Sequence, residues 1–107
     1  MKFEECYEII KKKLSEKDLS KIDSDFSAIV SFTGEAKGDI YVAYINKQKI
    51  IEPVKHSKAN IYVSLSTETF DGILKKQLNP FKAFTTGKIK AKGNVFLAMS
   101  LYKKLIS

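Results

Sequence analysis

The segment Val95–Ile106 places the strongest constraint on how this 107-residue chain can fold. Its spacing predicts a helix that begins after an N-cap at Asn94. Apolar side chains cover nearly its whole circumference, and Ser100 is the only polar interruption before Lys103. A helix that is apolar all round must be covered on every side. A chain this short offers one sheet face and a few short helices, so the helix is expected either to be clamped between them or to turn one side towards something that is not protein.

The rest of the chain predicts an α+β fold, because apolar residues recur at helical spacing at both ends and at a period of two in the middle. Short links join four consecutive strands, which are therefore expected to pair as an antiparallel meander. The predicted elements are a helix over Lys2–Leu14, strands over Phe26–Thr33, Ile40–Ile45, Lys49–Val54 and Ala59–Leu65, helices over Glu68–Lys76 and Pro80–Thr86, and a strand over Lys88–Lys92.

Composition favours a globular domain. Apolar residues make up 44% and charged residues 29% of the chain, and the length suits a single domain over residues 1–107. No apolar run approaches the ~20 residues of a membrane-spanning helix, and the first residues do not resemble a secretory signal. The single cysteine, Cys6, excludes an internal disulfide and a multi-cysteine zinc site. We therefore expect a cytoplasmic protein that is a monomer or a weak dimer.

Positive charge is concentrated in the second half of the chain. All 19 basic residues are lysine, and the net charge of +7 divides into −1 over Met1–Pro53 and +8 over Val54–Ser107. This distribution suits delocalised attraction to lipid headgroups, an acidic partner or nucleic acid, and a merely solvated surface is an equal alternative. No specific nucleic-acid contact is expected, because lysine lacks the planar fork of arginine. A weak binder would need exposed tyrosines beside the lysines, for which Tyr41, Tyr44 and Tyr62 are the candidates.

No catalytic constellation is evident. His56 lies beside Ser57 in a predicted turn with no third group to complete a triad. Ligand clusters for a metal and a phosphate-binding glycine loop are missing from the sequence. Cys6 lies on an apolar helix face and is expected to be buried and inert. We predict a non-enzymatic domain that uses no cofactor and no metal.

The segment Leu78–Leu101 resembles the sterol carrier protein type-2 domain family, whose members bind lipids. The shared pattern is Leu78-Asn79-Pro80, then Ala83-Phe84, Gly87-Lys88-Ile89-Lys90, Gly93-Asn94 and Leu97-Ala98-Met99-Ser100-Leu101. The resemblance implies a five-stranded, mostly antiparallel sheet with helices packed on one face, enclosing an apolar tunnel that the last helix borders.

The resemblance also implies which residues meet a ligand. A lipid or other long apolar molecule, either a sterol, a fatty acyl or acyl-CoA group or an isoprenoid, is expected in the tunnel. The phenyl ring of Phe96 stands where the family often has a small residue, and it is large enough to fill part of the tunnel. The candidate lining residues are Phe70, Leu74, Leu78, Phe81, Phe84, Ile89, Phe96 and Met99.

The function that these observations predict is lipid binding and transfer. Four lysines, Lys82, Lys88, Lys90 and Lys92, are the candidates for transient docking on an anionic membrane. The alternative is an accessory or scaffold domain that holds a protein partner or a hydrophobic intermediate for an enzyme, which would show an exposed apolar patch or a stable oligomer.

Overall fold

The computed structural model describes residues 2–19, 24–53 and 58–97, which form three helices, five strands and the first turn of a further helix at residues 95–97. A 3-10 turn at Gly34–Ala36 joins the first two strands. Most predicted boundaries are confirmed to within two or three residues. The elements are α1 (Phe3–Glu16), β1 (Phe26–Thr33), β2 (Gly38–Ile45), β3 (Gln48–Glu52), β4 (Ile61–Ser66), α2 (Thr67–Leu74), α3 (Pro80–Thr85) and β5 (Ile89–Gly93).

Local side-chain chemistry sets the helix starts. The Ser66 hydroxyl accepts a hydrogen bond from the Thr69 backbone N–H at 3.1 Å and so caps α2. The Asn79 side-chain oxygen accepts from the backbone N–H groups of Phe81 and Lys82 at the start of α3, at 2.8 and 3.2 Å, and Pro80 follows Asn79 at the first helical position. The Asn94 side chain accepts from the Leu97 N–H at 3.1 Å, which confirms Asn94 as a helix cap.

The five strands form one sheet in the order β3-β2-β1-β4-β5. The predicted four-strand meander is wrong, because β4 pairs in parallel with β1 and not with β3. The other three strand pairings are antiparallel, so the mostly antiparallel class is confirmed. The physical reason lies in β1, whose outer face carries one apolar residue among serines and a threonine. Ile29, on its outer face, is only 5% exposed between Tyr41 of β2 and Tyr62 of β4, and an edge position in a meander would have left it in water.

Helices pack on one face of the sheet, called the inner face here. Cys6 and Leu14 of α1 are buried against inner-face side chains, and the Phe3 ring lies so close to Gly38 that a Cβ there would be 2.5 Å from it. This packing forms a continuous apolar core. Its buried members are Cys6, Leu14, Leu19, Phe26, Phe32, Ile40, Val42, Tyr44, Ile61, Leu65 and Phe70.

The start of β4 is tied to both β1 and the end of β5 by Asn60. Its side-chain oxygen accepts from the Ser27 N–H at 3.1 Å, and its backbone carbonyl accepts from the Asn94 N–H at 3.0 Å. Gly93 lies between these bonds with φ +89°, and a Cβ at this position would overlap the Asn60 carbonyl oxygen. The hydrogen bond between Asn94 and Asn60 therefore requires glycine at position 93, and it fixes where the chain leaves the sheet for its next helix.

Candidate functional site

A row of small apolar side chains crosses the inner face of the sheet. Val30 of β1, Val63 of β4 and Ala91 of β5 lie opposite one another in register, and all three are half-buried. The next row along the same strands begins with Phe32 and Leu65, which are only 2% and 7% exposed. Central positions under a helical layer are ordinarily the most deeply buried in such a fold. The sheet is therefore less completely covered along the first row than along the row of Phe32 and Leu65. The first row, Val30, Val63 and Ala91, is called the inner row here.

An apolar wall beside the inner row includes three of the predicted lining residues, two on α2 and one on β5. Phe70 of α2 is 8% exposed and packs edge-on against Phe32, with ring centroids 5.2 Å apart and planes at 73°. Leu74 of α2 and Ile89 of β5 are half-buried and pack against the same core. Leu97, in the helical turn after β5, also packs against this core, although it was not predicted as a lining residue. The structure therefore brings α2, β5 and residues 95–97 together around the β4–β5 side of the inner face.

Two further predicted residues lie in and beside α3. Leu78 precedes the helix and is half-buried beside Gly72, where a Cβ would lie 3.4 Å from the Leu78 Cβ. Phe84 is also half-buried. Between them, Ala83 is fully buried, and its carbonyl oxygen accepts from the Lys88 N–H at 2.8 Å. This bond fastens the end of α3 to the start of β5.

Two of the remaining three predicted lining residues, Phe81 and Phe96, are not brought into this wall. Phe81 is 60% exposed and Phe96 is 88% exposed, so neither ring is packed in the interior. Phe96 therefore does not fill the space beside the inner row. Met99 and the rest of the segment after Leu97 lie outside the described residues.

The inner row itself was missed at the sequence level. Val63 and Ala91 alternate with polar neighbours, as any half-buried strand residue does. That they lie opposite one another depends on the register of β4 and β5, which cannot be read from the sequence. The available signal was size, because Ala91 is a small residue among the lysines of β5.

A separate cleft of about 390 Å³ opens at the other edge of the sheet, near the β2–β3 hairpin. Four of its six lining residues are charged, and the Lys49 ammonium group donates to the carbonyl oxygens of Ser15 and Lys17 at the end of α1. Such a contact satisfies the open carbonyls of a helix terminus. None of the predicted lipid-lining residues takes part. The cleft residues are Lys17, Asp18, Leu19, Tyr44, Lys47 and Lys49.

Reactive and ligand-forming groups are sparse in the described ranges. Burial raises the pKa of the Cys6 thiol, which keeps it protonated, and the cysteine is buried as expected. No group of three His, Cys, Asp or Glu side chains occurs among residues 2–19, 24–53 and 58–97 that could hold a metal. His56 lies outside the described residues. The helices that the structure describes include none long and apolar enough to cross a bilayer.

The tyrosines that a nucleic-acid surface would need are not all available. Tyr44 is 4% exposed and packs against Phe26, with ring centroids 6.1 Å apart. Tyr41 is half-buried, and Tyr62 is 38% exposed on the outer face. Tyr44 therefore cannot stack on a base.

The four candidate docking lysines are exposed, and they lie on or beside the edge strand β5. Lys90 and Lys92 point to the outer face, in register with Ser64 and Tyr62. Lys88, which was predicted as the first residue of this strand, precedes β5.

A family model described as the SCP-2 sterol transfer family matches residues 6–105, nearly the whole chain. The chain belongs to the SCP-2 sterol transfer family. Among curated relatives, hydroxysteroid dehydrogenase-like protein 2 of Rattus norvegicus is 31% identical over 101 residues, a match that covers 94% of this chain and 19% of that protein. This SCP-2 chain thus spans about a fifth of the length of that relative.

Solved structures share the fold. Palmitated SCP2L2 from Aedes aegypti has a TM-score of 0.78 and 19% identity, with 100% of this chain and 96% of that chain covered. A double mutant of the sec-alkyl sulfatase PisA1 has a TM-score of 0.73 and 24% identity, and the match covers 85% of this chain and 14% of that one. The first likeness extends over whole chains, whereas the second concerns one part of a much longer protein.

Proposed function

We propose that this SCP-2 chain binds the hydrocarbon part of a lipid, without catalysing a reaction, and carries it between membranes in a cytoplasmic compartment. The observation that carries the proposal is the inner row, Val30, Val63 and Ala91, whose small and half-buried side chains leave the middle of the inner face incompletely covered. The wall beside the inner row is apolar, and the solution structure of the Aedes aegypti relative is of a palmitated protein. The proposed lining consists of the inner row with Phe70, Leu74, Leu78, Phe84 and Ile89, and of Met99 from the sequence pattern.

The energetic reason is the cost of apolar surface left in water. Each methylene group of a ligand that leaves water contributes about 0.8 kcal/mol. Side chains such as Val30 and Val63 lose their remaining exposure at the same time. A ligand that binds only the folded chain therefore raises the free energy of unfolding, by about 2.7 kcal/mol at a hundredfold excess over Kd.

Transfer requires that the domain visit a membrane, and the lysines around β5 supply the attraction. Lys82, Lys88, Lys90 and Lys92 are all exposed. A lysine near an anionic bilayer contributes about 1 kcal/mol, and the attraction falls off within about one Debye length. Docking is therefore expected to weaken as salt rises.

The test combines mass spectrometry with thermal unfolding. The purified chain is extracted with organic solvent to identify bound lipid, then delipidated and heated with palmitate, palmitoyl-CoA, cholesterol or an isoprenoid alcohol. At least one class is expected to raise Tm by several degrees, since about 1 kcal/mol shifts Tm by roughly 4–8 °C in a domain of this size. An extract free of lipid together with an unchanged Tm for all four classes would rule the proposal out.

A further inference from the structure

Two phenylalanine rings that are exposed to solvent belong to the elements before and after the edge strand β5. Phe81, at the second position of α3, is 60% exposed, and Phe96, in the helical turn after β5, is 88% exposed. Single exposed apolar side chains are common, but these are the two most exposed large apolar residues that the structure describes. α3 precedes β5 in the chain, and the helical turn follows it. The Ala83 carbonyl oxygen of α3 accepts a hydrogen bond from the Lys88 N–H, next to the start of β5. Both rings therefore lie near the edge of the sheet that β5 forms.

All charged residues in the sequence around these rings are lysines. No aspartate or glutamate follows Asp71 in the sequence, whereas eight lysines do. Lys82 is adjacent to Phe81 in α3, and Lys90 and Lys92 project from β5. A surface that combines exposed aromatic rings with lysines and lacks acids is complementary to an anionic lipid interface, where rings enter the acyl boundary and ammonium groups meet phosphates.

We propose that Phe81 and Phe96 are membrane anchors that insert into an anionic bilayer, and that they do not line the lipid site. The inference rests on the proposed function only in that the bilayer is where the lipid is exchanged. A second copy of the chain is disfavoured as the occupant, because Lys90 and Lys92 on an edge strand act against sheet-to-sheet pairing. Nucleic acid is disfavoured because the surface lacks arginine, and the fully exposed Phe96 ring gains most from a hydrocarbon environment.

The chain contains no tryptophan, so single-tryptophan variants report insertion directly. F81W and F96W are mixed with vesicles of phosphatidylcholine alone or with 30% phosphatidylserine. Their emission is expected to shift to shorter wavelength, and to be quenched by brominated acyl chains, only with the anionic vesicles. Q48W is the matched control, because Gln48 is exposed on β3 at the opposite edge of the sheet. Its emission is expected not to change.

Vesicle sedimentation measures the contribution of each group. F81S/F96S is expected to lower the partition coefficient by roughly tenfold per ring, whereas F81L/F96L, which keeps apolar side chains, is expected to retain most of it. K90Q/K92Q is expected to lower partitioning by roughly fivefold per lysine, and 0.5 M salt is expected to remove that difference. The matched pair K12Q/K37Q changes two exposed lysines of the acidic half and is expected to have little effect.

The same variants separate this inference from the proposed function. If palmitate without vesicles shifts the emission of F81W or F96W, while vesicles do not, the rings line the lipid site and the anchor proposal is overturned. If neither palmitate nor vesicles changes the emission, or if only RNA does, it is overturned as well. The rise in Tm of the unmodified chain with palmitate decides the proposed function independently, because that measurement involves no membrane.

Discussion

Replacing Val63 by phenylalanine tests whether the inner row faces an available space. Val63 is half-buried in the middle of the row, between Val30 and Ala91. In a fully packed core, such an enlargement costs about 1–3 kcal/mol through overpacking. Where space is available, the ring adds roughly 50 Å³ of filled volume, which at about 24 cal/mol per Å³ contributes about 1 kcal/mol of stability. The two cases therefore predict opposite signs for the change in Tm of the lipid-free chain.

The change in Tm on adding palmitate is a second, independent measurement. At a palmitate concentration tenfold above Kd, the unmodified chain is expected to gain about 1.4 kcal/mol, or roughly 6–11 °C in Tm. V63F is expected to lose most of this gain, because its ring occupies the volume of the acyl chain. S64F is the matched control, since Ser64 neighbours Val63 on the same strand but faces outward, in register with Lys90. Differential scanning fluorimetry with delipidated protein measures both effects. Equal ligand responses in V63F and S64F, together with destabilised lipid-free V63F, would refute a lipid site at the inner row.

Three further predictions concern the scaffold. G93A is expected to lower the free energy of unfolding by at least ~2 kcal/mol, because φ is +89° and the new Cβ would overlap the Asn60 carbonyl; urea titration measures it. K76G is expected to raise the free energy of unfolding by about 0.5–1 kcal/mol. Lys76 lies two residues after the end of α2 at φ +59°, a conformation that glycine adopts without strain, so the urea midpoint would increase without a change in slope. For Cys6, the folded-state pKa is raised by burial, so the stabilisation from its neutral thiol is complete below the unfolded pKa and is lost as pH rises through the folded pKa. Reaction with a thiol reagent at pH 8 is expected to be slow in the folded chain and fast in urea, and comparable rates would show the thiol to be accessible.

Local elements could be predicted from the sequence because their signals are local. The alternation from Phe26 to Thr33 predicted β1 at its observed bounds, and Asn79 followed by Pro80 predicted the start of α3. The α+β class follows from these periods. The helix cap at Asn94 was predicted for the same reason, since its hydrogen bond reaches only three residues along the chain.

Strand partnership could not be predicted in this way. The short link between β3 and β4 suggested that they pair, yet β4 lies beside β1 in parallel. The competing information was Ile29, the single apolar residue on the outer face of β1, which is covered only when strands lie on both sides of it. The same limit applies to the site. Because both side chains are apolar, Phe81 and Phe84 were both predicted to line the tunnel, although the first ring is exposed and the second is half-buried.

The inner row and the proposed membrane anchors are related by the geometry of the sheet. The row crosses three adjacent strands and ends on β5, so it spans roughly 10 Å, about the length of eight methylene groups. A palmitoyl chain is about twice as long, and its remainder must extend beyond the row. Towards β1 the sheet continues into the deeply buried β2 residues Ile40 and Val42, whereas at Ala91 it ends at an edge. The polar end of the lipid is therefore expected to leave past β5, on the side where Phe81 and Phe96 would hold the domain against the bilayer.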